Sequence, residues 1–151
     1  GAFVARKDLF HPLFGGFNRV IDNYEENGGG FARWTDEQEI AGHRNETTLG
    51  VNFFAGRLEA KQFNNVGGSR GALLSDSDQV SRTWELYGEN AFYVLPEVAL
   101  IGGLQGTFAY REYRDEFLGD GNASFKRNYD SANPKIGRHS RSSAPPAFRM
   151  T

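Results

Sequence analysis

The sequence contains no cysteine among its 151 residues, which excludes disulfides and thiolate metal sites. It has no run approaching about 18 apolar residues, the length that a transmembrane helix needs. Its formal net charge is only −2. It therefore has no basic field of the kind that attracts nucleic acid, and no nucleic acid is expected as a partner. What the sequence does contain is 19 glycines and 13 phenylalanines, in a length typical of one domain.

The segment Val98–Tyr110 carries the clearest pattern in the sequence. Every second residue from Val98 is apolar or glycine, and the intervening residues, Ile101 apart, are small or polar. Such alternation over thirteen residues exceeds the usual globular strand of about 5–6 residues. It suits a strand tilted across a bilayer, which needs about 9–11 residues with their apolar side chains facing outward. We therefore predict a transmembrane β-barrel strand, with Phe108 and Tyr110 at the membrane interface.

Four further segments have strand character. In Thr47–Lys61 an apolar row gives way to charged residues at Arg57, where the strand would leave the hydrocarbon. The other predicted strands are Ala2–Arg6, Phe31–Ile40 and Thr83–Val94, and a sixth would begin within Asn133–Gly137.

The predicted connections alternate between long and short along the chain. Outer-membrane barrels show this rhythm, because their periplasmic turns are short and their extracellular loops are longer. The tight turn around Pro96 is accordingly predicted to be periplasmic, and the three long connections are predicted to be extracellular loops. In chain order the five connections are Lys7–Gly30, Ala41–Glu46, Gln62–Arg82, Leu95–Glu97 and Glu112–Asn133.

Two segments resemble TonB-dependent outer-membrane receptors. Trp84–Pro96 followed by Val98–Gln105 is similar to a mid-barrel hairpin of that family, in which a strand L-Y-x-E/Q-N/D-x-F/W turns and returns as L-x-L-x-x-G-x-R/Q-Y. Tyr129–Gly137 is similar to the N/S-P-K-x-G start of a following strand. The resemblance covers Thr47–Gly137. It implies a barrel of about 22 strands with a plugged lumen, in the outer membrane of a Gram-negative cell.

The resemblance also implies a function in transport. Receptors of this family import a scarce small molecule, such as a ferric siderophore, with energy passed on by the TonB system through a plug domain. We expect the plug to lie outside this chain. A closed barrel needs at least about eight strands, so we predict an all-β partial barrel of five or six antiparallel strands over residues 1–137. Residues 138–151 are predicted to form an irregular tail.

A second interpretation of the same strands remains open at this point. The chain would then be a small, self-contained β-barrel that binds a ligand and needs no partner. Closing such a barrel would require two or three further strands within Lys7–Gly30 and after Gly137, and the sequence shows no pattern for them there.

Candidate functional residues fall into two groups. The alternation places four of them on the polar side of their strands, where they would face the lumen: Glu85, Tyr87, Glu89 and Gln105. Four charged or aromatic residues after Tyr110 are candidates for contact with an anionic or aromatic ligand such as a ferric chelate: Arg111, Tyr113, Arg114 and Phe117.

The sequence carries no catalytic or metal-binding signature. His11, His43 and His139 lie far apart and lack ligand spacing, and no G-x-S-x-G segment occurs. Glu85 and Glu89 would lie roughly 13 Å apart along one strand, too far for the carboxylate pair of a glycosidase. We therefore predict that the chain is not an enzyme and binds no cofactor or metal.

Overall fold

The computed structural model describes residues 1–140 of this chain, and they form one open antiparallel sheet of six strands. Neighbours in the sheet are also neighbours in the sequence, as in an up-and-down meander. The all-β prediction and the prediction of up to six strands are confirmed. The strands are β1 (Ala2–Leu13), β2 (Arg19–Ile40), β3 (His43–Val66), β4 (Ser69–Leu95), β5 (Val98–Asp115) and β6 (Phe125–Ser140).

The described residues group into two compact units. The first comprises Gly1–Ala32, Val51–Leu86 and Gly106–Ser131, and the second comprises Arg33–Gly50, Tyr87–Gln105 and the described residues from Ala132 onward. Strands β2 to β6 each contribute residues to both units, whereas β1 lies in the first unit only.

Three of the hairpins have two-residue turns. Ala41 and Gly42 have φ values of 52° and 79°, and Gly67 and Gly68 have values of 62° and 90°. Positive φ at both central positions gives the turn whose twist matches that of the flanking strands. Pro96 lies in the turn between β4 and β5, where its fixed φ and missing N–H do no harm.

The prediction that three long segments form loops is wrong for most of their residues. Most of Lys7–Gly30 belongs to β1 and β2, and most of Gln62–Arg82 belongs to β3 and β4, which are joined by a two-residue turn. In Glu112–Asn133 the irregular part is limited to the residues between Asp115 and Phe125, which include a 3₁₀ turn at Leu118–Asp120.

Cross-strand ion pairs explain why these polar segments are strands. Lys61 Nζ lies 3.2 Å from Asp76 Oδ2, and Arg6 Nε lies 2.8 Å from Glu26 Oε1. The ladder supplies the backbone hydrogen bonds, while opposite charges pair on the surface of the sheet. A strand with polar residues on both sides therefore forms when its neighbour already provides a hydrogen-bonding edge, and no apolar row is needed.

The boundary predicted for the tail is also wrong at its beginning. Residues 138–140 continue β6, and residues 141–151 lie outside the described part of the chain. Strand β6 tolerates Pro134 because it is an edge strand of the described sheet, where a missing N–H on the open side breaks no ladder bond.

Burial alternates along β5 as the sequence pattern predicts. Leu100 and Leu104 are 51% and 58% exposed, whereas Ala99, which points to the other side of β5, is 1% exposed. We call the side of β5 that carries Leu100, Leu104 and Phe108 the apolar face, and the opposite side the polar face. In each unit, the residues of neighbouring strands that contact side chains of the apolar face belong to the same face.

The described residues do not build a hydrophobic core. Val20 and Ala99 are the buried hydrophobic residues among positions 1–140. Large apolar side chains such as Trp84, Leu86 and Phe108 remain about half exposed. The described part of the chain therefore supplies no layer that covers the apolar face.

Candidate functional site

The polar face of the first unit carries a cleft of about 390 Å³. A Cβ on Gly56 would clash with the amide oxygen of Asn27 and with Ser81 Oγ, so glycine at this position makes room for both side chains. Polar and aromatic residues of β2, β4, β5 and β6 line the cleft, among them Glu25, Asn27, Ser81, Arg111, Tyr113 and Tyr129.

Arg111 is held by three hydrogen bonds, two to β4 and one to its own strand, β5. Its Nη1 donates to the carbonyl oxygens of Arg82 at 3.0 Å and of Tyr110 at 2.8 Å, and its Nη2 donates to Thr83 Oγ1 at 3.1 Å. An arginine has five N–H donors. The arrangement therefore holds the guanidinium in one place and leaves donors for an incoming acceptor.

Tyr113 lies beside Arg111 on the polar face and closes the cleft toward β6. Its ring stacks on Phe125 with 5.6 Å between the ring centroids and an interplanar angle of 11°. The structure thus brings two of the four predicted ligand contacts, Arg111 and Tyr113, onto one surface.

The other two predicted ligand contacts lie elsewhere. Arg114 was expected in an extracellular loop, and this expectation is wrong because β5 continues to Asp115. Side chains alternate along a strand, so Arg114 lies on the apolar face, where its Nε donates to Glu112 Oε1 at 2.7 Å. Phe117 lies in the connection after β5, and its N–H donates to Asp115 Oδ1 at 3.0 Å.

Glu112 is the centre of a charged cluster on the same face. Its side chain is only 7% exposed. The Tyr110 hydroxyl donates to its Oε2 at 2.6 Å, and Lys126 Nζ lies 3.1 Å from its Oε1. The Tyr110 hydrogen bond, followed by those from Arg114 and Lys126, lowers the pKa of Glu112 to about 2.

Aromatic side chains precede this cluster along the apolar face of the first unit. The rings of Phe53 and Trp84 lie 4.3 Å apart between their centroids. Trp84, Phe108 and Tyr110 together line a groove of about 440 Å³. We call these four residues the aromatic row.

Charged residues follow the aromatic row on four adjacent strands, β3 to β6. On β5, Glu112 follows Tyr110 by two residues. Arg57 on β3 pairs with Asp78 on β4 through two hydrogen bonds of 3.0 Å. Glu112 and Arg114, together with Arg57, Asp78 and Lys126, form what we call the ionic band. Within the first unit the apolar face therefore changes from aromatic to charged at corresponding positions of neighbouring strands.

The residues predicted to face a lumen are all half-buried. In the first unit, Asn52 Nδ2 donates to Glu85 Oε2 at 3.0 Å across β3 and β4. In the second unit, Glu89 pairs with Lys135, and Tyr87 lies directly over Gly50, where any Cβ would clash with its ring.

Gln105 lines a cavity of about 270 Å³ in the second unit, together with Tyr87, Glu89 and Lys135. The Tyr87 ring covers Gly50 from the neighbouring strand and leaves no room for a side chain at position 50. Aromatic side chains cover glycines across strands in this way in other sheets. Three of the four predicted polar-face residues are thus brought together here, and Glu85 belongs to the first unit.

Sequence reasoning missed several residues of these sites. Asn27 and Ser81 lie in segments that were interpreted as loop, and no apolar alternation marks either segment. Lys126 lies on β6, and its pairing with Glu112 depends on how β5 and β6 are aligned. The sequence around Glu112 and Lys126 contains no apolar row that would predict this alignment, because both strands are polar in that region.

Neither a metal site nor a membrane-spanning helix is found in the described residues. Among positions 1–140, no group of three His, Asp or Glu side chains is arranged to hold a metal ion. No helix in this part of the chain is long and apolar enough to cross a membrane. Comparison with known proteins finds no matching family model and no matching curated protein.

Proposed function

We propose that this chain is part of the wall of a TonB-dependent outer-membrane receptor that imports a scarce ligand such as a ferric siderophore. The observation that carries the proposal is the change along the apolar face of the first unit, where the aromatic row gives way to the ionic band. Barrel strands in lipid show this order, with aromatic residues at the interface and charged residues in water. The hairpin and N-P-K motifs of the sequence support the family assignment.

The lack of a hydrophobic core among residues 1–140 supports a membrane environment for the apolar face. A water-soluble chain of this length folds by burying its aromatic and aliphatic side chains. Here Leu100, Leu104 and Phe108 all remain about half exposed. Lipid chains would cover such a face without any further protein layer.

The length of the apolar row fits the thickness of a bilayer. The alternation from Val98 to Tyr110 covers thirteen residues. A tilted strand needs about 9–11 residues to cross the hydrocarbon of a bilayer, so the apolar row is long enough for one crossing.

The polar face would then line the interior of the barrel. Glu85, Tyr87, Glu89 and Gln105 would face the lumen, beside a plug domain that we place outside this chain. The cleft that holds Arg111 suits an anionic chelate, because the free N–H donors of a fixed guanidinium can bind carboxylate or hydroxamate oxygens.

The self-contained barrel is the weaker candidate. Lys7–Gly30 supplies the end of β1 and the start of β2, and Gly137 lies inside β6. Residues 1–140 therefore contain six strands and leave the sheet open, whereas a closed barrel needs about eight.

Spin labels along β5 test the membrane assignment. Because this chain contains no cysteine, single cysteines can be placed from Val98 to Tyr110 and labelled in the intact protein, reconstituted in bilayers. We expect high oxygen accessibility at Leu100, Leu104 and Phe108, and a lower value at Gln105 and the other intervening positions. A uniform profile would refute the assignment of the two faces.

Uptake measurements test the transport assignment. Cells expressing the intact protein should accumulate ⁵⁵Fe from hydroxamate or catecholate siderophores only when TonB is present. Arg111→Ala should weaken binding of a transported siderophore by about tenfold, because hydrogen bonds to a charged ligand are lost. Arg114→Gln, on the opposite face, is the matched control and should leave binding unchanged. Equal uptake with and without TonB would contradict the proposal.

A further inference from the structure

A groove on the apolar face of the first unit combines aromatic side chains with a cation, Arg82, that has no ionic partner within residues 1–140. The aromatic residues Trp84, Phe108 and Tyr110 line it together with Arg82, and its volume is about 440 Å³. The groove lies where the aromatic row meets the ionic band. An amphipathic molecule with an anionic head would match both parts of it.

Arg82 differs from the other cations of this surface. Arg57, Arg114 and Lys126 each form an ion pair with a carboxylate. The guanidinium of Arg82 forms no ion pair or hydrogen bond within residues 1–140. Its long apolar stem lies beside the aromatic groove, so its charged end can reach the level of a lipid headgroup.

The charges around the groove leave a positive excess. Glu112 is shared by two cations, Arg114 and Lys126. The lining of the groove itself contains Arg82, Glu112 and Asp130. When the two cations that pair with Glu112 are included, three cations stand against two carboxylates. An anionic group bound at Arg82 would neutralise this excess.

We propose that the groove binds an anionic membrane lipid, with its acyl chain against Trp84 and Phe108 and its phosphate at Arg82. Arginine recognises phosphate through two parallel N–H donors, and basic residues near the membrane surface favour anionic lipids. This inference rests on the proposed function, because it requires the apolar face to contact a bilayer.

Fluorescence quenching at Trp84 tests the inference. The intact protein is titrated in mixed micelles with brominated phosphatidylglycerol and, separately, with brominated phosphatidylcholine. Quenching at Trp84 is taken as the difference between the protein and its Trp84→Phe variant. We expect phosphatidylglycerol to bind with about fivefold higher affinity, since one basic residue near a membrane surface contributes a preference of about that size.

Two charge variants test whether Arg82 causes the preference for phosphatidylglycerol. Arg82→Gln should abolish most of it. Arg127→Gln is the matched control, because Arg127 is exposed on β6, follows Lys126 on the opposite face of the strand, and forms no ion pair within residues 1–140. This control variant should keep the full preference.

The possible failures can be told apart. Equal quenching by both lipids, or an unchanged preference in Arg82→Gln, would overturn the inference and leave the membrane assignment standing. If neither lipid quenches Trp84, the apolar face does not contact lipid, and both the inference and the proposed function fall.

Discussion

At the scale of single residues, two positions show how local geometry limits the side chain. Gly50 lies under the ring of Tyr87 and has no room for a Cβ, whereas Ala41 occupies a turn position with a φ of 52° that favours glycine or asparagine. Position 50 therefore already carries the residue that its surroundings require. Ala41 does not, and it offers a site for stabilisation.

Ala41→Asn should stabilise the protein by about 0.5–1 kcal/mol, because asparagine tolerates the left-handed conformation better than alanine. Urea titration of the intact protein in lipid vesicles measures the change. Ala72→Asn, at an exposed strand position of β4, is the control and should be neutral or destabilising. A loss of stability in Ala41→Asn would show that this turn relaxes to another conformation.

The Glu112 cluster predicts a specific pH dependence. Because the pKa of Glu112 falls from 4.5 to about 2 in the folded protein, its stabilising contribution is complete above pH 4.5. This contribution decreases as the pH falls through about 2. Carbon-13 NMR of a selectively labelled Glu112 carboxyl group should show no titration between pH 6 and 4.

Glu112→Gln should remove this dependence and should lower stability at neutral pH, because Arg114 and Lys126 lose their shared partner. Glu97→Gln, in the exposed turn after Pro96, is the control and should have little effect. A Glu112 signal that titrates near pH 4.5 would contradict the hydrogen-bonded cluster.

At the scale of strands, the sequence predicts those that carry an apolar row. Val98–Tyr110 was identified because it alternates between apolar and polar residues, and β5 contains all of it. In Arg19–Gly30 the residues are mostly charged, amide or glycine, so no period is visible. That segment is a strand because β1 pairs with it residue by residue, from Ala2 opposite Gly30 to Leu13 opposite Arg19.

The candidate site shows the same limit. Glu85, Tyr87, Glu89 and Gln105 could be placed on the polar face by counting from the apolar row. The apolar row ends at Tyr110, so counting from it does not extend to Arg111, Tyr113 and Arg114. All three are predicted from the sequence as ligand contacts, although their side chains alternate between two faces. The partners Asn27 and Lys126 come from other strands, and their positions depend on alignment that local sequence does not encode.

Arginine substitutions on β5 test which face of the strand contacts lipid. Leu104→Arg should destabilise the intact protein in bilayers by about 2–4 kcal/mol, because it places a charge in hydrocarbon. Gln105→Arg, one residue away, should cost far less, because it faces polar side chains and lies near Glu89. Reversible unfolding in lipid vesicles measures both values. Equal costs would refute the assignment of the apolar face to lipid.

At the scale of the whole molecule, the described sheet has two kinds of unsatisfied surface. One is the apolar face, on which the side chain of Ile136 is 94% exposed. The other consists of the outer edges of β1 and β6, which pair on one side only within residues 1–140. Unpaired backbone groups cannot remain exposed to hydrocarbon, so lipid alone cannot satisfy both surfaces. If the apolar face lies in lipid as we propose, further strands beside β1 and β6 would be needed, and a larger barrel would provide them.

This requirement predicts how the chain behaves in isolation. The 151-residue chain alone in water should show no cooperative unfolding, because folding would leave an apolar face and two open edges in solvent. Far-UV circular dichroism during a urea titration measures this, with the intact protein in vesicles as the control. The isolated chain should instead associate in a concentration-dependent way through its edges. A sharp transition that is independent of protein concentration would mean that the sheet closes on itself, and it would favour the self-contained ligand-binding barrel over the receptor wall.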